Sequence, residues 1–246
     1  MPDLNGSLTL DYSAARRRSD FLMAATCVAV FGLAACHNDD STTAPLTAST
    51  VTVLSGGSQS GTVGAMLAAP VVIQVNDQNG KALAGVAVTL TVATTAGSVP
   101  STVLTTDANG QVSTTWTLGT VAATDTLAVQ VGALSVVDVV ATAAPGAAAS
   151  LVVMAGDGQS AAAGSALSSV LTVKVLDQYG NGVPNVTVTF ADDANGALAA
   201  STVTTDASGI ATDALTLGPN AGPDDVTATI DTPSGTVSAT LHETAS

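Results

Sequence analysis

Aromatic residues are scarce in this 246-residue chain: Phe, Tyr and Trp together make up 2% of it, and Trp116 is the single tryptophan. Charge is scarce too, at 10% of residues, and basic charge scarcest of all. Only Arg16, Arg17, Arg18, Lys81 and Lys174 stand against nineteen acids, giving a net charge of −14. Such a chain repels phosphate backbones, which excludes nucleic acid as a partner. The two cysteines, Cys27 and Cys36, both precede residue 40, so no disulfide framework holds the remainder and each folded unit needs its own apolar core. The two histidines, His37 and His242, lie far apart in the sequence. Nucleophilic catalysis needs a base beside a Ser, Thr or Cys, and no such pattern is visible, so the chain is expected to be non-enzymatic with no catalytic residues. Glycan platforms use exposed rings. After residue 40 the chain offers only Trp116, Tyr179 and Phe190, and Trp116 and Phe190 sit in register with core aliphatics.

What the chain does have is Val, Thr, Ala, Ser and Gly in alternation. Val and Thr are β-branched and suit a pleated, half-buried surface. The stretch Val71–Asn76 followed by Asp77-Gln78-Asn79-Gly80, then Gly85-Val86-Ala87-Val88-Thr89-Leu90, recurs one hundred positions later. There it reads Leu171–Leu176, Asp177-Gln178-Tyr179-Gly180, then Asn185-Val186-Thr187-Val188-Thr189-Phe190. Thr105-Thr106-Asp107-Ala108-Asn109-Gly110 likewise matches Thr204-Thr205-Asp206-Ala207-Ser208-Gly209, with Leu104 read as the residue lacking a partner. Agreement over this length marks an internal duplication. Alternation puts Val71, Ile73, Val75, Val88, Leu90, Val103, Trp116, Leu127 and Val129 on an inward face. The second copy repeats it with Leu171, Val173, Val175, Val188, Phe190, Val203, Val226, Ala228 and Ile230. Seven short antiparallel strands in about 95 residues predict an immunoglobulin-like β-sandwich for each copy. The fold class is therefore all-β, with two tandem sandwiches after a leader and a tether.

The start of the chain reads as an export signal. Arg16-Arg17-Arg18 precede an apolar run, Phe21 to Ala35, too short for the roughly 18–20 residues of a membrane-spanning helix. The run closes with Leu33-Ala34-Ala35-Cys36, an aliphatic residue, two small ones and cysteine. These four residues resemble the lipobox of bacterial lipoproteins. That resemblance implies cleavage after Ala35 and a lipid on Cys36, and several acyl chains make a stable anchor. The late basic segment raises the prospect of a start codon downstream of Met1. The arginines also resemble a twin-arginine signal with one residue too many before Phe21, which leaves the export route open. Residues 1–35 are thus expected to be a signal peptide and 36–49 a lipidated, flexible tether spanning at most about 40 Å. The first sandwich would occupy 50–143 and the second 149–246, joined by Ala144-Pro145-Gly146-Ala147-Ala148.

The strand ending in Asp-x-x-Gly, the Val-x-Val-Thr strand and the Thr-Thr-Asp-x-x-Gly turn resemble the bacterial Ig-like domains of group 1, the repeats of the intimin/invasin family. In that family such repeats act mainly as rigid spacers, and a separate tip domain often holds the receptor site. The sequence shows no outer-membrane barrel, lectin-like tip or disulfide pair. The resemblance implies a non-enzymatic cell-envelope lipoprotein, at the outer membrane or cell surface, whose modules serve as spacer or protein-interaction unit. Its alternatives are a surface adhesin with a host or neighbour-cell ligand, and a periplasmic protein binding a ligand or ion.

Acidic residues gather at loops. Asp192, Asp193 and Asn195 are the best candidates for a Ca²⁺ site, near a junction between modules, with Asp157, Asp224 and Asp225 as further loop acids. No EF-hand spacing is present, and turn formation with solvation is the plainer role. Tyr179 stands where the first copy has Asn79, and is expected to rest on its own turn.

Overall fold

The computed structural model describes residues 45–93 and 95–246. Cys36, the lipobox Leu33-Ala34-Ala35, His37 and the signal segment lie outside the described residues. No helix occurs among the described residues, and all regular structure is strand.

The first sandwich contains β1 (Ala48–Ser55), β2 (Gln59–Thr62), β3 (Val71–Asp77), β4 (Ala87–Val92), β5 (Val103–Thr105), β6 (Gln111–Thr114), β7 (Thr124–Gln130) and β8 (Val137–Ala144). One sheet runs β1-β3-β6 and the facing sheet β2-β8-β7-β4-β5. The second sandwich contains β9 (Ser150–Ala155), β10 (Ser160–Ala161), β11 (Leu171–Leu176), β12 (Thr187–Asp192), β13 (Ala197–Leu198), β14 (Thr202–Thr204), β15 (Ile210–Asp213), β16 (Leu215–Thr216), β17 (Gly222–Thr232) and β18 (Gly235–Ala245). Its sheets are β9-β11-β15 and β10-β18-β17-β12-β14, with β13 and β16 forming a small third pair.

Alternation held where it was strongest. In β3 every second residue, Val71, Ile73, Val75 and Asp77, is buried, and β11 buries Leu171, Val173 and Val175 in the same way. Each sandwich has its own apolar core. Trp116, Leu90 and Leu127 anchor the first, and Phe190, Leu215 and Ile230 the second. Trp116 is fully buried, and its indole N–H donates to the Ala96 carbonyl at 2.9 Å, so both the ring and its polar end are satisfied inside.

Two features depart from the sequence reading. The opening strand of each sandwich does not stay in one sheet. β1 pairs antiparallel with β3, the chain bends at Gly56 (φ 81°) and Ser58 (φ 56°), and β2 then pairs parallel with β8 in the other sheet. Gly156 (φ 91°) and Gly158 (φ 77°) make the same bend before β10, which pairs parallel with β18. Strand switching of this kind closes the sandwich edge by adding a parallel rung to an otherwise antiparallel array. The second departure is one of register. Val88 pairs with Leu104, and Val188 with Val203. Leu104 is therefore the counterpart of Val203, and the extra residue of the first copy lies earlier in the loop. Val103, expected inside, is 54% exposed, while Leu104 packs on the core.

The repeated polar motifs are structural ties. Thr106 is buried; its hydroxyl donates to the Leu83 carbonyl at 2.7 Å and accepts the Val86 N–H at 2.9 Å. Thr205 does the same with Val183 and Val186. In the turn that follows, the Asp107 carboxylate accepts the N–H groups of Asn109 and Gln111, and Gly110 donates to the Asp107 carbonyl at 2.9 Å. Gly110 has φ 70°, and a Cβ there would meet the Val75 carbonyl at 2.7 Å, so only glycine fits.

Candidate functional site

Two places bring polar groups together beyond what the sandwiches need. The first is the joint between the modules. The described residues form one compact unit, and the turn after β11 makes the link. Asn181 accepts the Ala122 N–H at 2.9 Å through its side-chain oxygen and donates to the Thr120 carbonyl at 2.8 Å through its nitrogen. That same nitrogen also donates to the Asp177 carboxylate at 2.9 Å, which fixes the amide. Asp177 is itself buried and further accepts N–H groups from Tyr179, Asn181 and, in the linker, Gly146. Burial works against its charge, but the hydrogen bonds from the Asn181 side chain, Gly146, Asn181 and Tyr179 outweigh it and hold its pKa below the ordinary carboxylate value. Asp77, its counterpart, is also lowered, chiefly by the Lys81 N–H.

Tyr179 does not simply rest on its own turn. It reaches the first module, where a Cβ added at Gly64 would lie 2.6 Å from the Tyr179 hydroxyl oxygen. The side chain is 45% exposed. A reading confined to one module at a time cannot see this contact, because Gly64 lies 115 positions earlier. A groove of about 600 Å³ runs beside the joint, lined by Thr124, Thr142, Lys174, Asn181, Pro184 and Ser208 among others.

The second place is the opposite end of the second module. Asp192 ends β12, Asp193 follows it, and Asp224 stands near the start of β17. The pairing of Asp192 with Val226 brings these segments side by side. One carboxylate oxygen from each of Asp192, Asp193 and Asp224 lies within 4.8 Å of the others. Asp224 is fully buried and accepts the Gly218 N–H at 2.6 Å. Its other oxygen has no protein partner, and neither has one oxygen of Asp192. Burial and the nearby Asp224 push Asp192 up to about 6. Glu243 pairs with Asp224 across β17 and β18, is 1% exposed, and accepts the Gln159 N–H through one oxygen. Its second oxygen is unpartnered, and burial raises its pKa.

Of the residues picked from the sequence, Asp192 and Asp193 do come together, at the end away from the joint. Asn195 holds the turn instead: it takes φ 62°, and the next residue, Gly196, donates its N–H to Asp192. The third carboxylate is Asp224, which sequence reasoning left among the general loop acids. Asp157 accepts the His242 N–H at 2.7 Å, and the His242 ring meets Asp225 at 3.1 Å. His242 thus makes an exposed polar contact at the edge of the acidic end.

The topology and the residues point to a known class. Residues 151–242 match the model of the bacterial Ig-like domain (group 1). The match falls on the second module, and the first module shares that module's strand order and its Thr-Thr-Asp-x-x-Gly turn. InvD of Yersinia pseudotuberculosis is similar in structure, with a TM-score of 0.51 and 22% identity over 80% of this chain and 57% of that one. The adhesin InvE of the same organism is matched at 22% identity over 79% of this chain and 58% of that one, with a TM-score of 0.38. The Escherichia coli adhesin FdeC is matched at 18% identity over 81% and 65%, with a TM-score of 0.42. The chain therefore spans less than two thirds of each of these relatives. No curated protein matches it.

Proposed function

We propose that the chain is a non-enzymatic cell-envelope lipoprotein, held to the membrane through a lipid on Cys36, whose paired Ig-like modules form a structural spacer or protein-interaction unit at the cell surface. The observation that carries this reading is the joint. Asn181 and Tyr179 engage the backbone of the first module directly, so the second module is seated on the first and not strung from it. A seated pair transmits position, which is what a spacer does. The match of the second module to the bacterial Ig-like domain (group 1) supports an envelope location. Membrane fractionation tests the anchor: the wild-type chain is expected in the membrane pellet and a Cys36→Ala variant in the soluble fraction. Equal membrane retention of both would overturn the lipid assignment.

Adhesion is the second reading, and one observation favours it. The positions that correspond in the repeat to Thr120 and Ala122, the backbone partners of Asn181, are Pro219 and Ala221 at the far end of the second module. Above Gly164, the counterpart of Gly64, there is open space. A partner could dock there by the same backbone contacts. Pull-down of a ligand by the wild-type chain that is lost on blocking this end would favour adhesion over spacing.

A further inference from the structure

The chain carries its own control for the acidic end. Asp125 of the first module corresponds to Asp224: it is buried, opens β7 as Asp224 opens β17, and accepts the Gly119 N–H at 2.8 Å as Asp224 accepts that of Gly218. Around Asp125, strand pairing puts Val92, which pairs with Leu127, and Ala141, which pairs with Asp125 itself. At the same pairing positions around Asp224 stand Asp192 and Glu243. Asp193 follows where the first module has Ala93. The fold therefore needs one buried carboxylate here, and the second module adds three more acids: buried Glu243, half-buried Asp192 and exposed Asp193.

Nothing among the described residues neutralises them. The basic residues among the described residues are Lys81, in the first module, and Lys174, on β11 beside the joint. His242 faces Asp225, and Asp157 adds a further acid from the turn before β10. Three oxygens, one each on Asp192, Asp224 and Glu243, are buried without a partner. Buried carboxylates left unpaired cost several kcal/mol each, so a set of them implies a missing positive charge. The donor set is oxygen alone, which suits a hard divalent cation. Ca²⁺ takes oxygens at about 2.3–2.6 Å, so two of its ligands can stand up to about 5 Å apart. The Asp192, Asp193 and Asp224 oxygens lie within 4.8 Å of one another, close enough to share one such ion. Mg²⁺, at about 2.0–2.1 Å, demands near-ideal octahedral geometry and gives up its water reluctantly, so it suits a partly exposed cluster of protein carboxylates less well.

We propose that Asp192, Asp193 and Asp224 bind one Ca²⁺ ion at the end of the second module, with Glu243 adding negative charge behind Asp224. Asp193 is exposed and forms the mouth, so water completes the coordination. The ion ties the end of β12 to the start of β17 and covers the face that, in the first module, seats the next domain. This inference does not depend on the lipid anchor or on the spacer reading.

The test uses the full chain stripped with chelator, then given millimolar CaCl₂ or MgCl₂ at neutral pH. Calorimetry should show the second module melting several degrees higher in Ca²⁺, with a smaller effect of Mg²⁺. Asp192→Asn and Asp193→Asn should each weaken Ca²⁺ binding at least about tenfold. Asp192→Asn should still fold, because it removes a repulsive buried charge. Asp125→Asn, in the first module, should leave the Ca²⁺ response intact. An unchanged melting temperature in both salts would mean that the acids are held by shared protons, and would overturn the proposal. So would an undiminished response in Asp192→Asn.

Discussion

Asn181 accepts the N–H of Ala122 at 2.9 Å across the boundary between the two modules. Its amide nitrogen is shared between the Thr120 carbonyl and the Asp177 carboxylate, so one side chain joins the turn of one module to the backbone of the other.

Replacing Asn181 with Ala should therefore loosen the joint without unfolding either sandwich. A lost hydrogen bond with its partner left unpaired costs about 1–3 kcal/mol. The expected outcome is faster proteolytic cleavage in the segment 144–148, with both modules surviving as intact fragments. Tyr179→Ala should add to the effect, because the ring lies over Gly64.

Gly64→Val should act on the joint from the other side. Gly64 has φ 71°, and a Cβ would lie 2.6 Å from the Tyr179 hydroxyl oxygen. A β-branched residue at this φ is strained by roughly 1–2 kcal/mol and also displaces the ring. Cleavage at 144–148 should speed up as for Asn181→Ala, and adding Tyr179→Ala should relieve only the steric part.

The buried rings give a test of the separate cores. Phe190→Ala should cost the second module about 3–5 kcal/mol, the usual range for a large ring removed from a core. Trp116 is the only tryptophan and lies in the first core. Its fluorescence transition in denaturant should therefore move far less than the loss of β-structure followed by circular dichroism. Coincident shifts would mean one cooperative core.

Thr205→Val tests the buried hydroxyl tie. It leaves the Val183 carbonyl and the Val186 N–H without the contacts they have now. Urea denaturation should report a loss of about 1–3 kcal/mol in the second module. Thr106→Val should do the same in the first.

Acid should attack the turns before the sheets. The Asp77 and Asp177 pKa values are lowered in the folded chain from 3.8. A carboxylate with a lowered folded pKa contributes stability that is present above the unfolded value and is lost as pH falls through the folded one. The contribution of these turns should thus be intact above about pH 4 and fade below 3.8. Asp177→Asn should flatten that part of a stability profile recorded against pH, while leaving less stability at neutral pH.

The sequence carried much of the architecture. Period-two runs such as Val71–Val75 define both strand and buried face, and the duplication supports each assignment with a second copy. Turn residues were equally legible, since Asp107 and Gly110 act through local backbone contacts. The misreadings share a cause. Alternation puts Val103 inside, whereas the register is set by Leu104 opposite Val88. Tyr179 and Asp224 gain their meaning from residues distant in the chain, Gly64 and Asp192. Alternation fixes which way a side chain faces, but the pairing of β12 with β17 decides which acids meet.

The central claim, that the paired modules stand on the outer face of the envelope, is tested most directly by treating intact cells with protease and following the modules by immunoblot. The account predicts that they are degraded while periplasmic controls survive. Protection until the envelope is opened would place the modules in the periplasm and contradict it.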